Sequence, residues 1–349
     1  MFRRVLWTTL ALGPIVILLH YVADIGDVAE FVLASLALIP LAWIIGEATE
    51  HAAHHTGPGI GGFLNATFGN APELIIALIA VHEGLTEVVR GSLTGSVVGN
   101  LLLVLGFSLA LGGRGPIDKV STFTALVLVG VAVLAFLIPA VPSWHGDPDR
   151  HSIAVISLPV AIGLLTLYVV VTWRSLRRHH ELHAPADPSD AGWSLRVSLG
   201  VLAAATVVTA LVAEVLVGAI DTFAEAAGLS EFFVAAVIVA IVGNAAEHGG
   251  AVVIARRGNI KLAAEIALAS AAQVAVFLIP AVTIISWAIE PLSLAFRPVE
   301  LGVVAAATVL TAALLANGQS SRAKGLVLIG AYVLAAISFY FAGDRAPVS

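Results

Sequence analysis

The sequence contains the motif Gly69-Asn70-Ala71-Pro72-Glu73, and Gly243-Asn244-Ala245-Ala246-Glu247-His248 repeats its pattern far downstream. Each stretch lies inside a long apolar segment, and in each a glutamate follows an asparagine by three residues. A carboxylate inside such a segment is costly unless it faces a partner or a water-filled cavity. The repetition therefore predicts one polar site that is built from two related halves of the chain.

The composition assigns the chain to the membrane proteins. Its 349 residues are 59% hydrophobic and 11% charged, and the mean hydropathy is +1.00, whereas soluble domains carry roughly 25% charged residues. The absence of cysteine excludes disulfides, thiolate zinc sites and sulfur redox chemistry. The net charge of -6 is spread among loops, and no basic face for nucleic acid is evident.

At about 20 apolar residues per span, the sequence predicts an all-α fold of about eleven transmembrane helices. We expect them near residues 5–22, 31–54, 62–82, 86–112, 121–141, 152–173, 194–219, 231–255, 262–288, 299–316 and 323–341. The first apolar run lacks a convincing small-residue cleavage site and is therefore interpreted as a span. If Arg3 and Arg4 lie inside and successive loops alternate between the two sides of the membrane, four basic residues lie outside: Arg90, Arg150, Arg297 and Arg345. This bias predicts an inside amino terminus and an outside carboxyl terminus.

The two halves of the chain repeat with an offset of 174 residues, which aligns Asn70, Glu73 and Ser96 with Asn244, Glu247 and Ser270. The predicted helices that carry the motifs run in opposite directions, so the repeats are inverted, as in many transporters. We therefore expect a first helix in residues 1–30, a five-helix repeat in 31–174, a cytoplasmic linker in 175–193 and a second five-helix repeat in 194–349.

The motif side chains form a predicted oxygen site. Residues three apart share a helix face, so Asn70 can lie beside Glu73, and Asn244 beside Glu247. Two carboxylates, two amide oxygens and nearby carbonyls suit a hard cation such as Ca²⁺, which takes about 6–8 oxygens. Close carboxylates in a poorly solvated cavity also have raised pKa values, so protons would compete with the metal. A structural role, in which the acids pair with basic residues, is less favoured because no Lys or Arg lies in the predicted interior of a span.

Further polar residues line two other predicted helices. We expect four of them to approach the carboxylates: Ser96, Asn100, Ser270 and Gln273. Close helix packing through Gly91, Gly95 and Gly99 is an additional role for the first of these helices.

Three other titratable residues each have two alternative roles. Glu50 and Glu214 are auxiliary acids or solvated helix ends, and His248 is a proton relay or a packing residue.

These motifs resemble those of the cation/proton exchanger family of the calcium/cation antiporter superfamily. The resemblance covers residues 65–77, 95–106, 242–248 and 270–277 and extends over nearly the whole chain. It implies Ca²⁺/H⁺ exchange, with Glu73 and Glu247 as the central carboxylates. The chain departs from the family pattern at Ala240, where Pro is common, and at Ala269-Ser270-Ala271, where a Gly-Ser-Ser run is common. The acidic helix usual between the halves is reduced to Glu181, Asp187 and Asp190.

Two other functional classes remain open at this point. His51-Ala52-Ala53-His54-His55 fits a box of membrane di-iron enzymes, and His179-His180-Glu181-Leu182-His183 is a second cluster. Such enzymes need about three boxes, and the remaining histidines form no third one. A channel is the other class, but titratable ligands suit coupled exchange better.

We expect no cofactor, with Ca²⁺ and H⁺ as transported ions. Na⁺, K⁺ and Mn²⁺ remain alternative cargoes. The expected partners are these ions and the lipid bilayer of the cell (plasma or inner) membrane, with no nucleic acid. Nothing in the sequence supports a particular oligomer.

Overall fold

The computed structural model describes residues 2–23, 25–180 and 192–345, with the side chains at 2–5, 57–63, 65–66, 175–180 and 246–248 left out. The expected acids of the linker, Glu181, Asp187 and Asp190, lie outside the described residues. Within the described part of the chain every regular element is helical, and the only extended pairing is a single bridge between Pro116 and Gln319.

The first half of the chain contains eight α-helices and one π-helical segment. These are α1 (Phe2–Thr9), α2 (Leu12–Val22), α3 (Asp27–Phe68), α4 (Ala71–His82), α5 (Thr86–Val98), π1 (Gly99–Val104), α6 (Leu105–Gly112), α7 (Lys119–Ser143) and α8 (His151–His180).

The second half is divided into more elements. It contains α9 (Leu195–Gly218), α10 (Ile220–Ala227), α11 (Glu231–Phe233), π2 (Val234–Val239), α12 (Ala240–Gly243), α13 (Ala245–Arg256), α14 (Ile260–Gln273), π3 (Val274–Leu278), α15 (Ile279–Ile285), a 3₁₀ turn (Ser286–Ala288), α16 (Pro298–Leu315) and α17 (Arg322–Ala342).

Side-chain caps begin several of these helices. The Asp118 carboxylate accepts a hydrogen bond from the Ser121 N–H at the start of α7 (2.9 Å). Ser230, Asn259 and Ser321 cap α11, α14 and α17 in the same way. Such caps satisfy N–H groups that have no partner within the helix, and they fix where each helix begins.

Eight stretches of the described chain are long and apolar enough to cross a membrane. They are Asp27–Thr56, Thr86–Gly112, Lys119–Ser143, His151–Arg174, Leu195–Gly218, Ile260–Ala288, Pro298–Leu315 and Arg322–Ala342. A ninth results if Ile220–Ala227 and Glu231–Gly243, which are bent by 107°, count as one span. The all-helical membrane fold is thus confirmed, whereas the count of eleven spans remains a prediction.

Three of the predicted helices differ from the helices that the structure contains. The predicted helix 5–22 is divided into α1 and α2, and the predicted helix 231–255 is divided at Asn244. The predicted helix 62–82 is wrong in its start, because α3 continues to Phe68 and the break lies at Gly69-Asn70. Pro72 then falls in the first turn of α4, where a missing N–H costs no helical hydrogen bond.

The chain divides into two compact units, and each unit contains parts of both halves. Unit 1 comprises Met1–Ile79, Thr166–Ala227 and Val242–Ala246, and unit 2 comprises Ala80–Leu165, Gly228–Ile241 and Glu247–Ser349. In unit 1, α3 and α9 pack along each other over an apolar cluster. The cluster consists of Ile44, Ile45, Ala48, Ala71, Leu202 and Ala205. In unit 2, α5 packs on π2, α6 on α17, and α7 on both α14 and α16.

Candidate functional site

Both motif asparagines lie at breaks between helices. Asn70 separates α3 from α4, and Asn244 separates α12 from α13. The helices that follow begin 174 residues apart and have twelve residues each. The Asn70 carbonyl accepts the Leu74 N–H (3.0 Å), so Asn70 stands at the cap position of α4. The offset that aligns the two motifs therefore also aligns their local structure.

Glu73 lies in the first turn of α4, and its side chain is 8% exposed. The amino terminus of a helix carries partial positive charge and favours a nearby carboxylate. Glu247 has the equivalent position in the first turn of α13, but its side chain and that of His248 are outside the described set. The geometry around Glu73 alone therefore defines this part of the site.

The two motifs meet inside unit 1. A methyl group on Gly243 would lie 3.3 Å from Cγ and 3.6 Å from Cδ of Glu73, so the backbone of the second motif lies close to the carboxylate of the first. Asn70 and Asn244 are both buried. Unit 1 thus brings Glu73 next to the second motif, with an asparagine at each of the two helix breaks.

Unit 2 brings together part of the second predicted group. The Asn100 side-chain amide donates a hydrogen bond to the Ser270 hydroxyl (3.0 Å), which joins π1 to α14. Ser96 and Ser270 are buried, and Gln273 is partly buried at the end of α14. The structure therefore joins Asn100 to Ser270, whereas the expected approach of these residues to the carboxylates stays a prediction.

The π-helical segments also repeat. The Leu105 N–H donates to the Asn100 carbonyl, and the Ile279 N–H donates to the Val274 carbonyl, five residues back in each case. These two bonds are related by the same offset of 174 residues. A π-helical turn shifts the side chains that follow it and often marks a functional position. No pattern in the sequence predicted these turns.

The glycine stripe of α5 is confirmed at two of its three positions. A Cβ on Gly91 would lie 3.0 Å from the Phe232 carbonyl oxygen, and a Cβ on Gly95 would lie 2.0 Å from that of Ala236. A Cβ on Gly99 would meet nothing within 4 Å. Gly95 also lies against Ala240, the position at which proline is common in the resembled family. Ala240 is compatible with this packing because its side chain is small.

The auxiliary acids and the histidine box lie elsewhere on unit 1. Glu50 and Glu214 are exposed, on α3 and α9. His51 stacks near Trp193 with 4.8 Å between ring centroids, and His55 Nε2 lies 2.7 Å from the Trp193 carbonyl oxygen. Among the side chains that the structure describes, no three His, Asp or Glu residues come together in a metal-binding group. The histidine box therefore attaches the start of α9 to α3.

Sequence reasoning missed a buried charge cluster in unit 2. Arg90 is 1% exposed, although the sequence placed it among the basic residues outside the membrane. Its guanidinium binds Glu87 and Asp149. The spacing of three residues between Glu87 and Arg90 was the available signal, since such pairs meet on one helix face.

Comparison with known proteins identifies the family of this fold. The family model described as "Sodium/calcium exchanger protein" matches residues 27–177 and 197–341. The chain belongs to the sodium/calcium exchanger family. This match agrees with the resemblance that the two motifs carry.

Two relatives and one solved structure illustrate where the chain lies within this exchanger family. It is 35% identical to a Ca²⁺/H⁺ antiporter of Synechocystis sp., over 90% of this chain and 92% of the relative. It is 39% identical to the Ca²⁺/H⁺ antiporter ChaA of Bacillus subtilis, over 89% of this chain and 91% of the relative. The structure of native YfkE, at 35% identity, superposes with a TM-score of 0.83 over 96% of this chain and 99% of YfkE.

Proposed function

We propose that this protein is a membrane antiporter that exchanges Ca²⁺ for protons. The observation that carries the proposal is the contact of Gly243 with the buried Glu73 carboxylate. This contact joins the two repeated motifs at a residue that can hold either a hard cation or a proton. The two relatives named Ca²⁺/H⁺ antiporters, at 35% and 39% identity over most of the chain, support the same cargo.

We propose Glu73 and Glu247 as the carboxylates that Ca²⁺ and protons share. Asn70 and Asn244, at the two helix breaks, are proposed as amide oxygen ligands. Four residues of unit 2 are proposed as further polar ligands: Ser96, Asn100, Ser270 and Gln273. The breaks support this assignment, since non-helical backbone at membrane depth is tolerated where it is buried or lines a cavity.

Coupling follows from the charge of the empty site. When Ca²⁺ leaves, desolvation and mutual repulsion favour protonation of the two carboxylates. When the site holds Ca²⁺ or protons, the negative charge of the two carboxylates is neutralised and the site can change the side of the membrane to which it is open. An empty and doubly charged site makes this change poorly. Alternating access would then permit exchange and suppress uniport. His248, next to Glu247, is proposed as a proton relay with a pKa near the physiological range.

We further propose eleven spans in one plus two inverted five-helix repeats, with the amino terminus inside and the carboxyl terminus outside. The absence of cysteine makes this arrangement testable by labelling single introduced cysteines. An impermeant thiol reagent applied outside should label Asp147→Cys and should leave Arg257→Cys unlabelled until the membrane is opened. The reverse pattern would contradict the orientation.

A vesicle assay tests the proposed function. Purified protein in lipid vesicles with an imposed pH gradient should move Ca²⁺ against the proton flux, and collapse of the gradient should stop the movement. Na⁺, K⁺ and Mn²⁺ should be compared in the same vesicles. Exchange of Na⁺ or K⁺ without competition from Ca²⁺ would overturn the assignment of Ca²⁺, and cation flux without a proton gradient would indicate a channel.

A further inference from the structure

The buried arginine of α5 stands at the centre of an ionic network in unit 2. Arg90 Nη1 and Nη2 donate to the two carboxylate oxygens of Asp149 at 2.8 and 3.1 Å, and Nη2 also donates to Glu87 at 2.7 Å. Burial raises the pKa of the Asp149 carboxyl, but the hydrogen bond and charge of Arg90, with hydrogen bonds from Ser293 and Thr86, outweigh burial and lower it to about 2. Asp149 therefore stays ionised, and both Nη atoms of Arg90 donate hydrogen bonds to its carboxylate.

Two more arginines complete the network. Arg297 lies 3.7 Å from Glu87 and 3.4 Å from Glu300, and Arg345 lies 3.4 Å from Glu87. The side chain of Glu300 is fully buried. Three arginines thus face three carboxylates. Removing one partner of a buried ion pair leaves an uncompensated charge.

The network joins five segments that are distant in the chain. They are the start of α5, the loop that contains Asp149, the segment before α16 with Ser293 and Arg297, α16 itself with Glu300, and the segment after α17 with Arg345. A sixth segment is attached at α11. The Arg297 guanidinium lies 3.6 Å from the centre of the Phe232 ring, and the Asp344 carboxylate accepts the N–H groups of Glu231 and Phe232.

A second contact fixes α5 further along its length. The Thr94 hydroxyl donates to Glu300 Oε1 (3.2 Å), one turn beyond Arg90 on the same helix. Two residues after Thr94 comes Ser96, and Asn100 follows in π1. At 1.5 Å and about 100° per residue, a shift or rotation of α5 at Arg90 is passed on to both side chains. The network therefore sets the height and the rotation of the helix that carries these proposed ligands.

We propose that Arg90 is a positioning residue for cation binding, which with Glu87, Asp149 and Glu300 places Ser96 and Asn100. This inference rests on the proposed function, since it assumes that those two residues contribute to the cation site. A role in stability alone is the competing explanation. Because none of the described Arg90 hydrogen bonds and ion pairs is to a proposed ligand, the two explanations differ in what they predict for apparent cation affinity.

The first test replaces the forked guanidinium of Arg90 and keeps its positive charge. Lysine is a point charge that cannot make the paired contact with Asp149, so Arg90→Lys should raise the KM for Ca²⁺ in vesicles about tenfold. The control is Leu164→Ala, which removes a buried side chain of α8 in the same unit and lowers stability without touching the network. It should lower the unfolding temperature and leave KM unchanged. A normal KM for Arg90→Lys would overturn the proposal.

The second test separates charge balance from position. Arg90→Gln leaves the carboxylates uncompensated and should lower both stability and transport. The double variant Arg90→Gln with Asp149→Asn restores neutrality, so its unfolding temperature should recover while its KM stays raised. Recovery of KM together with the unfolding temperature would show that the network only compensates charge, and it would contradict a positioning role.

The design also distinguishes failure of the inference from failure of the proposed function. A parent protein that exchanges another cation for protons would contradict the Ca²⁺ assignment. The same comparison of KM values, made with that cation, would still decide whether Arg90 positions α5.

Discussion

Glu73 combines burial with contact to the opposite motif, and this makes it the most informative single residue to change. Its side chain is 8% exposed, and the backbone of Gly243 lies against it. Both features follow from the helix break at Asn70, which places Glu73 in the first turn of α4. At the residue scale the site therefore depends on where two helices begin.

Removing either motif carboxylate should abolish transport. Glu73→Gln and Glu247→Gln keep the size of the side chain but remove the charge that Ca²⁺ and protons share, so exchange in vesicles should fall to background. The exposed Glu225→Gln on α10 makes the same chemical change and should transport normally. Unfolding temperatures should be close to that of the parent. Normal exchange by either motif variant would contradict a shared site.

A methyl group at Gly243 should weaken cation binding. It would lie 3.3 Å from Glu73 Cγ, and overpacking of this kind typically costs about 1–3 kcal/mol. If that strain acts on the cation-bound site, Gly243→Ala should raise the KM for Ca²⁺ about tenfold, since 1.4 kcal/mol is a factor of ten. Gly302→Ala is the control, because no atom lies within 4 Å of its Cβ. Equal KM values for the two variants would show that the contact is unimportant.

Helix α5 shows at the element scale how small residues and π-helical turns act together. Gly91 and Gly95 permit close approach to α11 and π2, and π1 follows at Gly99. Asn100 lies in π1 and hydrogen-bonds Ser270. The helix formed by α5 and π1 therefore packs closely through glycines in α5 and makes polar contacts in π1.

The glycine stripe yields a matched pair of stability predictions. A Cβ on Gly95 would lie 2.0 Å from the Ala236 carbonyl oxygen, so Gly95→Ala must push the two elements apart. We expect a loss of more than about 3 kcal/mol, at or above the upper end of usual overpacking costs. Gly99→Ala meets no neighbour and should be neutral or stabilising by up to about 1 kcal/mol. Thermal unfolding in detergent measures both, and equal unfolding temperatures would contradict the packing.

Some elements could be predicted from local sequence and others could not. The sequence predicted one helix over 62–82, whereas the structure has a break at Gly69-Asn70. The predicted helices 31–54 and 62–82 left residues 55–61 as a connection, yet α3 continues through it, because tertiary context overrides local propensity. Helix α8 likewise continues to His180, since a helix can project beyond the apolar layer that sets the length of a span.

At the scale of the whole molecule, exchange should appear as a link between Ca²⁺ binding and proton release. Affinity for Ca²⁺ should fall as the pH is lowered, because protons occupy the same carboxylates. Adding Ca²⁺ to weakly buffered protein in detergent should release protons, and Glu73→Gln should release fewer. The absence of proton release anywhere between about pH 5 and 8 would contradict the mechanism.

The ionic network of unit 2 should be visible in acid stability. The pKa of Asp149 is lowered from 3.8 to about 2 in the folded protein, so its stabilising contribution is fully present above the unfolded value. That contribution is lost as the pH falls through the folded value. The unfolding temperature should therefore decline between about pH 4 and 2, and Asp149→Asn should decline less over the same range. An equal decline would indicate that other carboxylates dominate.

The candidate site was more predictable than the network. The repeated motif was the signal that indicated Asn70, Glu73, Asn244 and Glu247, because a symmetric site needs the same residue types twice. Asp149 lies 59 residues from Arg90 in the chain, and no period or motif connects them. Contacts of this kind arise only when the whole of unit 2 has folded.

The Arg90 network also imposes an order on biosynthesis. Its members are spread from Glu87 to Arg345, so the last arginine leaves the ribosome about 250 residues after the first. At roughly 5–20 residues per second, this delay is on the order of 13–50 s. During that interval Glu87 and Asp149 have only part of their final complement of positive charge. A chain that lacks Arg345 would leave Glu87 with two of its three arginine partners.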